Sequence, residues 1–502
     1  MKHSKRIFSF LLILILTASL CAGVASADNK IDYQITNPYA SVDWDTWKAY
    51  KGATHVHTVR SDGNVEVDDM IENYYALGYQ TLALTDHGTV NYGWTSDQSR
   101  LALYAYQFFV HGTVDPLTQA RYEQITTGVG RAEEVGGMTE IPYGIELNGA
   151  SATKCHVNSY FADCGHGDLE ILATWPESAV KKCQKAGGLC HINHVGEWTD
   201  GKDDVGTYDA SFVAKFSKLF LNYPACVGME LVNTTDNRTH NDRYLYDETL
   251  KVTAAQGKNI FGFCEDDSHD PEDCGNNANY FLMPENTWQN VRTAMETGAF
   301  FACSKNAKTA AELGDGFTAQ GEFPTVTRIA VDEEKDQISI SAKAGKTIKL
   351  VADGAVLDTK TIAEGTAIFD LHEYENSIGN YVRFYILGDG GICYLQPFLL
   401  KAVSMDAEPV ITATVSAASN TATVSCSVSA APTYDINAQL FVAQYVNGQL
   451  QSTQISEIFA VADGCENATF AFPDVSGATY RVFLLEKETA VPLCSAQQAS
   501  EP

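Results

Sequence analysis

The sequence ATHVHTVRSDG at residues 53–63 decides the fold class of this 502-residue chain. A short apolar stretch carries His55 and His57, and residues two apart in a strand point to the same side, so both imidazoles can face one ion. Alone, such a pair is weak evidence for a metal site. Ser61-Asp62-Gly63 then adds a carboxylate, although these three residues are also typical of an ordinary turn.

Ionisable residues recur where other apolar runs end. Residues 84–88 read LTDHG, residues 144–146 read GIE and residues 266–270 read DDSHD. Further runs supply His156, His191, His194 and Glu230. Burying so many ionisable groups is costly unless they pair or bind cations. Imidazole and carboxylate ligands without thiolates suit Zn, Mn or Fe.

The apolar periodicity predicts alternating helices and strands. Residues 65–77 have apolar side chains at helical spacing, Gly78 is a natural C-terminal stop, and residues 79–85 then resemble a buried strand. The pattern repeats along the chain and predicts an α/β fold with a parallel sheet, in which strand ends converge on one face. Seven strands, compatible with a closed or nearly closed barrel, are expected at 53–56, 80–85, 141–147, 154–161, 188–192, 226–232 and 259–264.

The organisation predicted from composition has four parts. Residues 28–324 form the barrel, with an insertion at 91–139 that is either an aromatic-rich lid or helical packing against the barrel wall. Residues 325–404 and 405–502 are β-rich and are expected to be two small all-β sandwich-like modules.

The first 27 residues have the composition of a signal peptide. Basic residues precede an apolar run at 7–20, and Ala25-Ser26-Ala27 predicts cleavage after Ala27 and a secreted, extracellular protein. Cleavage would move the formal charge from −29 to about −32, and so acidic a chain repels nucleic acids and anionic membranes. No transmembrane segment is predicted, and none of the 13 cysteines forms a CxxC pair typical of structural zinc sites.

The motifs His55-x-His57 with Ser61-Asp62-Gly63, then 84–88, then Asp267-Ser268-His269 together resemble the PHP (polymerase and histidinol phosphatase) superfamily, over roughly residues 50–305. The resemblance implies a distorted seven-stranded β/α barrel that holds up to three metal ions. Short segments at 228–230, 267–269, 381–384 and 396–398 are similar to its exported carbaryl-hydrolase-like (CehA/McbA) branch.

Carried over by position, the resemblance implies nine metal ligands. They are His55, His57, Asp62, His87, Glu146, His156, His194, Asp267 and His269. The family often has proline after its fifth-strand histidine, whereas Val195 follows His194 here, so His191 is a rival ligand. Glu230 is expected either to touch metal or to orient a ligand.

These features predict a secreted metal-dependent phosphoesterase for phosphomonoesters or phosphodiesters. Two or three divalent ions (Zn, Mn or Fe) would activate water. Asp86 is a candidate catalytic residue, and Arg60 and Arg238 are candidates to hold a substrate anion. One alternative is a carbamate, ester or amide hydrolase on the same site. The other is a non-catalytic surface protein whose β modules bind the cell envelope. The expected partner is a small-molecule or phosphorylated substrate.

Overall fold

The computed structural model describes residues 31–101, 114–148, 156–166, 176–198, 206, 208–236, 241–362, 365–403, 410–429, 437–456, 459–460, 465–486 and 492–500. The predicted signal peptide, Arg238 and part of the 91–139 insertion lie outside the described residues. The chain divides into one compact unit, Tyr33–Lys401, and a second that includes Ala402–Pro502. Within the described ranges, no helix has the length and apolar character needed to cross a membrane.

The first compact unit contains both helices and strands. Its first eleven strands are β1 (Asp32–Thr36), β2 (Lys48–Ala53), β3 (Thr81–Leu82), β4 (Thr139–Glu140), β5 (Ile145–Leu147), β6 (Val157–Tyr160), β7 (Leu189–Ile192), β8 (Cys226–Asn233), β9 (Phe261–Glu265), β10 (Asn277–Met283) and β11 (Phe300–Ser304). The helices are α1 (Val67–Ala76), α2 (Gln119–Thr127), α3 (Glu177–Ala186), α4 (Ser211–Asn222), α5 (Asp242–Ala254) and α6 (Trp288–Thr297).

The unit continues with strands and, between two of them, the 3-10 helix Leu371–Ser377. These strands are β12 (Thr325–Asp332), β13 (Gln337–Lys343), β14 (Thr347–Ala352), β15 (Ala355–Thr361), β16 (Thr366–Asp370), β17 (Tyr381–Gly388), β18 (Gly391–Leu395) and β19 (Phe398–Val403).

Helix α1 shows how the sequence determines an element. Its buried side chains, which include Met70, Ile71 and Tyr74, recur at helical spacing and form one face. The chain leaves the helix through Gly78, whose φ of 79° is a left-handed conformation that glycine adopts without strain. The structure therefore confirms the predicted helix, glycine and strand order, with α1 slightly shorter than expected.

Two sheets meet at the ends of β2 and β3. Strands β2, β3 and β4 are parallel neighbours, and so are β7, β8 and β9. Backbone bonds join the two groups: the Thr85 N–H donates to Val56 at 2.8 Å, the Glu146 N–H to Thr85 at 3.1 Å, and the His57 N–H to Ser268 at 2.9 Å. The segments that follow β2, β3 and β9 are thus held side by side with β5.

Strand β6 corrects the expectation of a parallel sheet. It pairs antiparallel with both β5 and β7. Only nine residues, 148–156, separate β5 from β6, which is too few for the helical crossover that a parallel connection needs. Because β6 runs the other way, the residue just before it, His156, lies at the edge where its neighbours end.

Residues 325–401 belong to the same compact unit as the preceding α/β part, so the unit continues through the boundary predicted at 324. Strand β18 pairs with β11, and β17 pairs with β14, β18 and β19. The Gln396 side chain accepts a hydrogen bond from the Gly262 N–H at 2.8 Å and donates one to the Gly262 carbonyl at 2.9 Å. The β-rich segment therefore completes the hydrogen bonding of β9.

The described part of the insertion packs onto α1. Trp94 is fully buried and meets Tyr122 of α2 edge-on, with ring centres 6.0 Å apart. Arg121 of α2 also pairs with Glu72 of α1. These contacts tie helix α2 of the insertion to α1.

The second compact unit is all-β in its described residues. Its strands are β20 (Val410–Ala418), β21 (Thr421–Ser429), β22 (Asn437–Val446), β23 (Gln449–Ile455), β24 (Phe459–Ala460), β25 (Cys465–Pro473), β26 (Ala478–Glu486) and β27 (Gln497–Gln498). They form two antiparallel sheets, β20-β21-β25 and one centred on β22 and β26. One hydrophobic cluster contains residues of both sheets, including Val424 and Val482.

We expect the ion pair between Arg383 of β17 and Asp247 of α5 to stabilise the first unit. Two hydrogen bonds of 2.7 and 2.6 Å join the two side chains, and both are buried. Arg383→Met should lower the unfolding free energy by about 3–5 kcal/mol, because it leaves the Asp247 charge buried without its partner. Thermal unfolding followed by circular dichroism measures the change.

The matched control is Lys346→Met. Lys346 pairs with Asp389, but both side chains are 65% exposed, so the unfolding midpoint should not move. Equal midpoints for Arg383→Met and the unmodified protein would contradict the role assigned to the buried pair.

Candidate metal centre

Backbone positions bring the predicted ligands to one edge of the two sheets. His55 and His57 follow β2, and the bonds from Val56 to its neighbours hold this segment in place. Glu146 lies inside β5, with its side chain buried. His156 directly precedes β6, His194 follows β7, and Asp267 and His269 follow β9, while His87 follows β3 and Asp62 lies in the loop after His57.

The buried part of the centre is formed by His55, His57, Glu146 and Asp267. His55 Nε2 lies 3.4 Å from Glu146 Oε1 and 3.1 Å from Asp267 Oδ1. His57 Nε2 lies 3.3 Å from Glu146 Oε2 and 3.1 Å from the same Asp267 oxygen. The two imidazole nitrogens are themselves 3.1 Å apart. Five donor atoms of these four side chains thus point at one small volume.

A second group extends from His57 towards solvent. Asp62 lies between His87 and His269, with Nε2–oxygen distances of 3.5 and 3.4 Å. The rings of His57 and His269 stack with centres 4.4 Å apart. Asp62 and His269 are about one-third exposed, whereas His55 and His57 are fully buried. The centre therefore has a closed end and an open end.

A third group lies on the other side of Glu146. His87 Nδ1 is 2.7 Å from Glu146 Oε2, His156 Nδ1 is 2.9 Å from Glu146 Oε1, and His194 Nε2 is 3.4 Å from that same Oε1. The nine predicted ligands all fall into four overlapping sets whose candidate ligand atoms lie within 4.8 Å of one another, namely 57/62/87/269, 55/57/146, 55/194/267 and 87/146/156.

The electrostatics of the centre follow from this crowding. Burial alone raises the pKa of Glu146, but His87, His156 and His55 hold that pKa well below its usual range. Burial likewise raises the pKa of Asp267, and His55 and its neighbours more than offset it. Both carboxylates are therefore negative at neutral pH and each is shared among several imidazoles.

The donor set fits divalent cations. His156 Nε2 is buried and has no hydrogen-bond partner among the described residues. The Nε2 atoms of His55 and His57 both face the same Asp267 oxygen, Oδ1, which is the arrangement expected of ligands to a shared ion. Nitrogen and oxygen donors without sulfur are the ligands that Zn, Mn and Fe accept.

Glu230 orients two of the predicted ligands. Its Oε1 lies 2.7 Å from His55 Nδ1, and its Oε2 accepts the His194 backbone N–H at 2.6 Å and a bond from Asn233 at 3.0 Å. With Nδ1 bonded to a carboxylate, His55 presents Nε2 to the centre. Of the two roles expected for Glu230, this geometry matches orientation of a ligand.

Three side chains near the centre were not anticipated from the sequence. Asn193 donates to Glu146 Oε1 at 2.8 Å. The Trp198 indole N–H donates to His194 Nδ1 at 2.8 Å, so the His194 proton lies on Nε2 in this arrangement. Coordination through Nε2 would move the proton to Nδ1, which faces Glu197 at 3.7 Å. The signal in the sequence was their position beside His194: Asn193 directly precedes it, and Glu197 and Trp198 follow it by about one turn.

His191 lies outside the four sets. Its Nε2 lies 2.9 Å from the Tyr160 hydroxyl, and its ring stacks on Phe263 with centres 4.4 Å apart. Burial holds the pKa of His191 well below its usual value, so the ring is neutral. The structure brings His194 to the centre and leaves its rival in the core.

The predicted catalytic residues have other partners. Asp86 accepts hydrogen bonds from the backbone and hydroxyl of Thr58 and from the Ser61 hydroxyl, so it holds the loop between His57 and Asp62. Arg60 is fully buried and donates to Asn91 at 3.1 Å and to the Ser96 carbonyl at 3.0 Å. Arg238 lies outside the described residues.

Residues 53–260 match the model of the PHP domain. No curated protein matches the chain significantly.

Several solved structures are similar. A two-domain protein from Bacteroides vulgatus, named as containing a PHP-like metal-dependent phosphoesterase, is 13% identical with a TM-score of 0.35, over 80% of this chain and 95% of that one. A protein from Bifidobacterium adolescentis, named for a metal-dependent phosphoesterase activity, is 13% identical, with a TM-score of 0.26 over 44% of this chain and 88% of that one. An amidohydrolase from Chromobacterium violaceum is 18% identical, with a TM-score of 0.21 over 44% and 89%. Scores this low carry no conclusion about the present chain.

We expect His194→Ala to lower the metal content of the purified protein, because it removes a nitrogen 3.4 Å from Glu146. His191→Ala is the matched control. It removes a buried imidazole three residues earlier and should lower stability while metal stoichiometry, measured by inductively coupled plasma mass spectrometry, is retained. The reverse result would assign the ligand to His191.

Glu230→Gln should weaken metal binding about 10- to 100-fold, because a neutral amide holds the His55 Nδ1 proton less strongly and has only one accepting oxygen for the bonds that Glu230 receives. Titration of metal-stripped protein measures the affinity. Glu285→Gln, an exposed change outside the centre, serves as the control. Unchanged affinity in Glu230→Gln would exclude the orienting role.

Proposed function

Because residues 53–260 of this chain are a PHP domain, we propose that the protein is a metal-dependent hydrolase that cleaves phosphoric esters, either phosphomonoesters or phosphodiesters. The domain match supports the coarser statement of a metal-dependent hydrolase. The observation that carries the proposal is the set of nine converging imidazole and carboxylate side chains that includes Glu146, two of them beyond the end of the matched segment.

We place two or three divalent ions, Zn, Mn or Fe, in this centre. His55, His57, His87 and Glu146 each belong to two of the four sets, so neighbouring ions would share them. When bound, such ions act as Lewis acids and lower the pKa of water to near neutrality. The chain's own contribution is to hold the donors in place and to keep the inner end of the centre dry.

Substrate would approach from the open end. Asp62 and His269 are about one-third exposed, and the side-chain exposure falls to 15% at Asp267 and to zero at His55. An ester group entering between Asp62 and His269 would meet the ligand set from that side, while the rest of the substrate stays outside. Exclusion of bulk water from the inner end strengthens every electrostatic interaction there.

The proposed scaffold is the distorted seven-stranded barrel. Strands β5 to β9 form one continuous sheet, and the segments after β2 and β3 connect β5 back to Ser268 after β9. This ring of backbone contacts supports closure. We further propose that the β modules have sandwich folds and that the protein is exported, with cleavage after Ala27. The β modules would then associate with the cell envelope. The sequence patterns described above support these three proposals.

A second candidate is hydrolysis of a carbamate, carboxylic ester or amide on the same centre. One observation favours it: Arg60, a residue expected to hold a phosphate anion, already donates to Asn91 and Ser96 and is buried. The third possibility, a non-catalytic binding protein, accounts less well for a complete set of nine converging side chains.

A substrate panel on metal-loaded protein decides among these. We expect turnover of 4-nitrophenyl phosphate or bis(4-nitrophenyl) phosphate, and a loss of about a thousandfold or more in Asp267→Asn and His57→Ala, together with lower metal content. Turnover of only 4-nitrophenyl acetate or 1-naphthyl methylcarbamate would select the second candidate.

The matched control is His372→Gln, since His372 pairs with Asp336 and Glu375 and belongs to none of the four sets. It should retain full activity. Unchanged turnover in Asp267→Asn would refute the assigned centre, and full metal occupancy with no turnover of any ester would support a binding protein.

A further inference from the structure

A cavity of about 550 Å³ lies in the first compact unit, at the opposite end of β2 from the candidate metal centre. Its wall includes the start of β2, the turn before β3, and residues of β12 and β13. This volume is within the range of small-molecule sites. Lys51 in the cavity wall and His55 in the metal centre are four residues apart along extended chain, which corresponds to about 13 Å.

Four lysines line the cavity: Lys48, Lys51, Lys305 and Lys343. Two glutamates, Glu134 and Glu322, oppose them, and Glu322 already pairs with the exposed Lys343 at 3.0 Å. The local balance is therefore positive, although the chain as a whole has a net charge of −29. An anion that such a chain repels elsewhere would be attracted here.

Lys51 and Lys305 have no carboxylate within 4.0 Å among the described residues. The Lys51 ammonium donates to the Leu77 carbonyl at 3.3 Å and lies 3.9 Å from the centre of the Tyr79 ring. The Lys305 ammonium donates to the Gly275 carbonyl at 2.6 Å and lies 5.3 Å from the centre of the Phe323 ring. Neutral partners therefore hold both cations, and neither ammonium is in direct contact with a carboxylate among the described residues.

The electrostatics agree with this geometry. Burial lowers the pKa of Lys51 to about 8, because the opposing charge of Asp266 offsets only part of the desolvation, and Lys305 lowers it further. An anion in the cavity would favour the charged form of Lys51. The remaining wall is partly apolar, with Leu77, Phe323 and Val326, so a ligand with an apolar body would also be accommodated.

We propose that this cavity is a second binding site, separate from the metal centre, for a small organic anion with a carboxylate or phosphate-type group on an apolar body. Lys51 and Lys305 bind the anionic group, and Phe323 with its apolar neighbours contacts the body. The proposal does not depend on the reaction at the metal centre.

The test is isothermal titration of the full chain with benzoate, phenylphosphonate, inorganic phosphate and, as a neutral control, benzyl alcohol. We expect benzoate or phenylphosphonate to bind, and benzyl alcohol to give no heat. Stronger binding of benzoate would identify a carboxylate ligand, and stronger binding of phenylphosphonate a phosphate-type ligand. Absence of binding by every anionic probe up to about 10 mM would overturn the proposal.

Variants separate the cavity from the metal centre. Lys51→Met and Lys305→Met should each weaken the binding about tenfold or more, whereas Asp267→Asn in the metal centre and the exposed Lys346→Met should leave it unchanged. Lys48 lies at the exposed rim of the cavity, so Lys48→Met should weaken anion binding less than the other two changes. It serves as the test variant if Lys51→Met or Lys305→Met does not fold. Equal affinity in the cavity variants, or loss of binding in Asp267→Asn alone, would place the anion elsewhere.

Discussion

Glu146 is a buried carboxylate with five imidazoles around it. These imidazoles offset the free-energy cost of burying its negative charge, and the rest of the centre depends on that arrangement. The nearest nitrogen of each ring lies between 2.7 and 3.4 Å from one of its oxygens. An isolated charge at this depth would cost far more than a domain's net stability. Five strand ends must therefore converge at one place, and the backbone bonds that join β5 to the segment after β3 hold them there.

Much of the centre could be predicted from the sequence, because polar residues inside apolar runs are expensive and so rarely accidental. His55, His57, Glu146 and Asp267 all carried that signal, and the structure brings them together. The direction of β6 could not be predicted, since it depends on the length of a connection rather than on its composition. Asn193 and Trp198 also escaped prediction, because an amide or an indole beside a ligand is unremarkable until the fold places it.

In the β-rich third of the chain, the sequence pattern predicts strands but not how those strands pair. Alternating residues between 325 and 401 correctly indicated strands, but a strand's pattern does not reveal which sheet it joins. The contacts of Arg383 with Asp247 and of β18 with β11 are long-range pairings, determined by the shape of the completed unit. Only the described strands of 410–500 form a core of their own.

The amide of Gln396 links the β-rich segment to the α/β part of the first unit, so the two could not be separated by recombination without loss of hydrogen bonds. It saturates both polar backbone groups of Gly262, a residue just beyond the segment that matches the family. Transfer of the matched segment to another gene would leave behind this amide, the strand it serves and the carboxylate at Asp267. The structural module is therefore larger than the recognisable motif, because the compact unit that keeps these contacts extends to Lys401.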